Sequence, residues 1–107
     1  YYADELKYQS VIDATVRAKN IGSDIVVKRE AGKIVIQLPN EFANSLVKGK
    51  AHLYYAADIH RDILKHFETK TGNVIIELLS HNKGNYTLKL DLEKGGVSYY
   101  YEQKIFF

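Results

Sequence analysis

From Asn85 to Glu93 the chain alternates without a break: Tyr86, Leu88, Leu90 and Leu92 fall on one side, Thr87, Lys89, Asp91 and Glu93 on the other. A period of two is the signature of a strand with one face on a core and the other in water. Gly95-Gly96 then provides the pair of residues that a tight hairpin needs. The chain returns through Val97, Tyr99, Tyr101, Ile105 and Phe107 on one face, opposite Tyr100, Glu102 and Lys104. These two segments commit the C-terminal quarter to an antiparallel sheet.

Shorter segments of the same kind precede them. Residues 24–30 and 33–39 alternate around Ala31-Gly32, a hairpin signal, and the single proline, Pro39, ends the second. Asn40 is placed to cap a short turn through Glu41–Leu46. Strands are then expected over 49–57, 61–68 and 73–79. Seven short strands at turn-punctuated intervals, with no long helical pattern between them, favour a two-sheet sandwich over parallel βαβ units. The predicted fold is mainly β: one N-terminal helix followed by an immunoglobulin-like antiparallel sandwich of about seven strands.

The helix is read from residues 1–22. Tyr8, Val11, Ile12 and Thr15 recur at helical spacing and form an apolar stripe, with Leu6 at its flank. Asp4 and Glu5 stand early and Arg17 and Lys19 late, which suits the helix dipole. Gly22 is the expected stop.

At 107 residues the chain has room for one domain with a real core. Apolar residues make up 46% and charges of both signs 26%, a globular balance. A net charge of +2, with no basic stripe, gives no support for a nucleic-acid partner. The absence of cysteine excludes disulfides and thiolate metal sites. No apolar run in the chain approaches the length of a membrane span.

Candidate chemistry is sparse. In an unbroken strand His60 and His66, six apart, share a face, and His52 on a neighbouring segment could join them in a site for a divalent ion such as copper or zinc. The plain alternative is three ordinary surface histidines, since no tight His-x-His or HExxH spacing is present. None of Ser10, Ser23, Ser45, Ser80 and Ser98 lies in a nucleophile elbow. Asp58 and Asp62 could pair, but Arg61, Lys65 and His60 around them suggest local charge pairing. The tyrosines read mainly as core packing with hydroxyls reaching the surface; a second reading makes Tyr55 or Tyr100, with Phe106, an exposed aromatic patch for a protein partner. No catalytic site and no cofactor are expected.

Several segments, taken together and in order, resemble the extracytoplasmic part of the FixH (CcoH) family. The opening YYADELKYQSVIDATVRAKNIG is similar to the family's segment just after its transmembrane helix. GKIVIQLP is similar to its proline-ended strand, and GKAHLYYAADIHRD to its Gly-x-x-His-x-Tyr segment with two spaced aspartates. GNYTLKLDLEKGGVSYYYEQKIFF resembles its closing pair of strands. The chain departs from the pattern at Ala56-Ala57, where an Arg-Pro pair is expected, and at Leu92, where Trp is common.

The resemblance implies a single-pass protein of the cytoplasmic membrane with this domain on the periplasmic side. It also implies a role in maturing the cbb-type haem–copper oxidase, with oxidase subunits, a copper-transporting ATPase and a ferredoxin-like protein as associates, and no enzymatic activity. Residues 1–22 are then expected to be a juxtamembrane stalk, with Tyr1-Tyr2 in the aromatic belt, and 23–107 the sandwich domain. The chain does not begin with methionine, and the resemblance implies an apolar span upstream of Tyr1. Two other readings remain open: a periplasmic copper- or zinc-binding domain using the histidines, and a generic immunoglobulin-like interaction module.

Overall fold

The computed structural model describes residues 2–78 and 83–106, with side chains from position 8 onward except at position 59. The elements are α1 (Tyr2–Asn20), β1 (Val26–Glu30), β2 (Lys33–Gln37), β3 (Val47–Tyr54), β4 (Ile63–Thr69), β5 (Asn73–Glu77), β6 (Asn85–Lys94) and β7 (Val97–Phe106), with short 3₁₀ turns at Asn40–Phe42 and Ile59–Arg61. All strand pairs are antiparallel. They form a three-stranded sheet in the order β1-β2-β5 and a four-stranded sheet in the order β4-β3-β6-β7. The expected helix-plus-sandwich is present with seven strands. Relative to a seven-stranded immunoglobulin constant-type domain, the fourth strand sits beside the third and not beside the fifth.

The core lies between the sheets. Ile34, Ile36, Val74 and Ile76 come from the small sheet; Val47, Ala51, Leu53, Leu88, Leu90, Leu92 and Tyr101 come from the large one. All four alternating apolar residues of β6 are buried, as the sequence pattern requires. The β6–β7 turn has positive φ at both Gly95 (58°) and Gly96 (77°), the type I′ geometry that matches strand twist.

Edge strands are blunted by cations. Lys65 Nζ on β4 donates to the Ile75 carbonyl on β5 (2.9 Å), joining the open edges of the two sheets. On the far edge α1 packs against β7, and Arg17 donates to the Ser98 carbonyl at 2.8 Å.

Two local expectations are corrected. The buried face of α1 is not the stripe of large residues: Tyr8 is 71% exposed, Val11 43% and Ile12 39%, whereas Ala14 and Ala18 are buried. Against a sheet edge the helix can approach closely only on its smallest side chains, so packing selected alanines and left the bulky stripe outside. Thr15 is half-buried, its hydroxyl donating back to the Val11 carbonyl (2.7 Å). Asn40 is the other correction: it lies inside a turn that ends at Phe42, and Pro39 stands at the cap position with no side-chain hydrogen bond. Gly22 does stop the helix, with φ of 81° and its N–H donating to the Lys19 carbonyl. Leu79, Ser80, Phe107 and Tyr1, together with the side chains of Tyr2, Asp4, Glu5 and Leu6, lie outside the described residues.

Tyr101 is 7% exposed, and its hydroxyl has no hydrogen-bond partner among the described residues. Burial first, then the negative charges of Asp24 and Glu41, push its pKa up to about 12. A buried, unpaired hydroxyl costs more than its absence. Tyr101→Phe is therefore expected to leave stability unchanged or raise it by about 1 kcal/mol in urea unfolding. A loss of that size would reveal a partner.

Candidate functional site

The loop between β3 and β4 is shaped by two aspartates. Asp62 Oδ1 accepts the Tyr55 N–H at 2.7 Å, and its Oδ2 accepts from His52 Nε2 at 2.9 Å. A carboxylate only accepts, so this ring nitrogen carries the proton. Asp58 Oδ1 accepts the His60 N–H (2.9 Å), and its other oxygen lies 3.9 Å from Arg61 Nε. Both carboxylates act as loop clamps: Asp58 beside Arg61, as local charge pairing predicts, and Asp62 on His52 and the Tyr55 N–H, where the sequence pointed to Arg61, Lys65 and His60.

Burial raises the Asp62 pKa, but the Tyr55 N–H, then the His52 hydrogen bond and charge, together hold it below the ordinary 3.8. The stabilisation from this clamp is thus complete above that pH and disappears as pH falls through the lower folded value. Asp62→Asn is expected to cost about 2 kcal/mol at pH 7. In denaturant melts the gap to the parent should narrow as pH falls below 3.8; a gap that does not change with pH would exclude the charged clamp.

The three candidate metal ligands are placed apart in the fold. His52 is on β3, His60 in the second 3₁₀ turn and His66 on β4. Because β4 begins only at Ile63, no continuous strand joins His60 to His66. Register sets His52 opposite Leu64 and Lys89, and His66 opposite Lys50. Among the described residues no group of three His, Asp or Glu side chains could hold a metal ion.

The aromatic candidates also divide. Tyr55 is half-buried and packs on the core, its ring 4.9 Å from that of Tyr86 with the Arg61 guanidinium over it (5.4 Å). Tyr100 lies at the α1 side of the sheet, lining a groove with Val11, Thr15 and Ala18. Its hydroxyl donates to Glu102 Oε1 at 2.8 Å; burial and then that carboxylate raise its pKa. Phe106, six residues along β7, is 74% exposed.

The register of the large sheet explains what accompanies Phe106. Its outer face carries Tyr54 on β3 paired with Thr87 on β6, which pairs in turn with Lys104 on β7. The next rows are Asn85 with Phe106 and Leu64, His52, Lys89, Glu102. The other end of this face is more highly charged. It pairs Lys48 with Glu68 and Lys50 with Asp91, and α1 covers part of it through Ser10, Val11 and Ala14. What remains open is an aromatic and cationic patch. Lys89 Nζ stands 4.5 Å from the Tyr54 ring centroid, and the His52 ring meets the same tyrosine edge-on at 6.0 Å. Between Tyr54 and Phe106 runs a groove of about 470 Å³, floored by Tyr86, Thr87 and Ile105 and rimmed by Lys104.

Tyr54, Lys89 and Lys104 were not singled out by sequence. Their outward direction follows from the alternation, but their meeting depends on the pairing of β3 with β6.

A family model for FixH matches residues 1–106, from α1 through β7. The chain belongs to the FixH family. A search of curated proteins finds no match. FixH membership is consistent with a role associated with the cbb-type oxidase. The FixH family is generally membrane-associated, while among the described residues of this chain no helix is long and apolar enough to cross a membrane.

Proposed function

We propose that this FixH domain is the periplasmic part of a membrane-tethered, non-enzymatic maturation factor for a cbb-type haem–copper oxidase, working through protein–protein contacts. The observation that carries the reading is the family match across the whole fold, from the helix to the last strand. The open half of the outer sheet face supports it. Exposed aromatic rings beside cations are the composition of contact surfaces, and the acidic groups nearby are held in internal hydrogen bonds. In this reading α1 links the sandwich to a span upstream of Tyr1, and the oxidase subunits and other assembly factors are the partners. No metal or cofactor is needed.

The test is co-purification of oxidase subunits with the tagged full-length protein, together with oxidase activity in a deletion strain. Retained subunits and a marked loss of activity are expected. Normal activity in the deletion strain would overturn the proposal. Metal titration checks the rest: copper or zinc should bind no more tightly than to a variant with His52, His60 and His66 all changed to Ala.

A further inference from the structure

We propose that the groove between Tyr54 and Phe106 seats a short acidic segment of a partner protein, with an apolar side chain entering between the rings and carboxylates meeting Lys89 and Lys104. The proposal rests on the reading of this face as a contact surface and names what it contacts.

The argument is one of charge balance and shape. Among the described residues, neither Lys89 nor Lys104 has a carboxylate within ion-pair distance. The lining of the groove holds one charged side chain, Lys104, and no acid, and the acids on the neighbouring loop and strand have contacts of their own. Asp62 is held by His52 and the Tyr55 N–H, Asp58 by Arg61 and the His60 N–H. Glu102, opposite Lys89 in register, accepts from the Tyr100 hydroxyl. Lys104 therefore stands without an ion pair at the rim of a groove of about 470 Å³, and Lys89, within electrostatic reach of Asp62 but in no ion pair, lies beside it over the Tyr54 ring. That volume lies within the range of pockets that take compact ligands, room for one or two side chains and not for a packed helix. An apolar wall with cations at its rim selects a carboxylate-bearing chain with an apolar anchor and repels a basic one.

The experiment uses the isotope-labelled 107-residue chain and two probe peptides: a dodecapeptide of Asp and Glu around a central Trp, and the same peptide with Lys for each acid. The acidic peptide should move the amide resonances of residues 85–89 and 104–106 and leave those of α1 in place. Lys104→Glu should weaken it by roughly tenfold, and Phe106→Ala, a change at an exposed ring, by a similar factor. Lys28→Glu makes the same charge change on the outer face of β1 and should leave the affinity within about twofold of the parent. Equal binding of the basic peptide, or shifts confined to α1, would overturn the proposal. So would association with phosphatidylglycerol vesicles that the acidic peptide fails to displace, because that assigns the lysines to a lipid surface. If oxidase subunits still co-purify with K104E and F106A, the groove is wrong and the maturation reading survives. If the peptide binds as stated but no subunit co-purifies, the groove stands and the maturation reading falls.

Discussion

Phe42→Ala is expected to lower the stability of this domain by about 3–5 kcal/mol, the largest single-residue effect argued from its structure. Phe42 ends the 3₁₀ turn by which the chain leaves the small sheet for the large one, and it is fully buried. Its ring meets Tyr99 edge-on at 5.0 Å and Tyr101 at 6.5 Å, so one side chain closes the gap between the β2–β3 crossing and β7. Truncation removes the transfer energy of the ring and leaves a cavity that two tyrosines, fixed on a strand, cannot fill. For a domain of this size the melting temperature should fall by about 12 °C or more. Phe42→Leu, which keeps most of the volume, should cost less than half as much. Equal losses for the two variants would show that the site collapses freely and would remove the bridging role.

The second large effect is expected at Gly49, where the cause is overcrowding. Gly49 lies on β3 between β4 and β6, with Phe67 opposite on one side and Leu92 on the other. A β-carbon there would collide with the Asp91 carbonyl oxygen and lie 2.5 Å from Cζ of Phe67. The ring could turn, but the carbonyl belongs to the neighbouring strand and cannot move without breaking the ladder. Gly49→Ala should therefore cost about 1–3 kcal/mol, and combining it with Phe67→Leu should recover little. Full recovery in the double variant would mean that the aromatic ring alone is the obstacle.

The candidate site was only partly legible before folding. His52 and Asp62 stand ten residues apart, and neither alternation nor charge count says that one binds the other. The loop between them has to close first, and the Tyr55 N–H that Asp62 accepts becomes available only where β3 ends at Tyr54. The three candidate histidines failed to gather because His60 lies in the 3₁₀ turn Ile59–Arg61, ahead of β4, and not on a strand continuous with His66. Of the aromatic candidates, Phe106 lies on the open face, while Tyr55 turned towards Tyr86 and Tyr100 towards α1. Adjacent residues on a strand point to opposite faces, so the choice between Tyr54 and Tyr55 depended on which face β3 gave to the core.

The sequence by itself determined the elements: seven strands from their period of two, the β6–β7 hairpin from Gly95-Gly96, the helix and its stop at Gly22. It also carried the family, because the order of motifs along a chain needs no coordinates. These are local properties, set by backbone preference and by the need to bury every second side chain. Only the tertiary structure decided which strands are neighbours, and it set β4 beside β3 in the larger sheet. It also turned the alanines of α1 inward, because close approach to β7 rewards small side chains and hydrophobic periodicity does not register size. The groove between Tyr54 and Phe106 exists for the same reason: its walls stand on β3 and β7, 52 residues apart in the chain, and β6 alone brings them together.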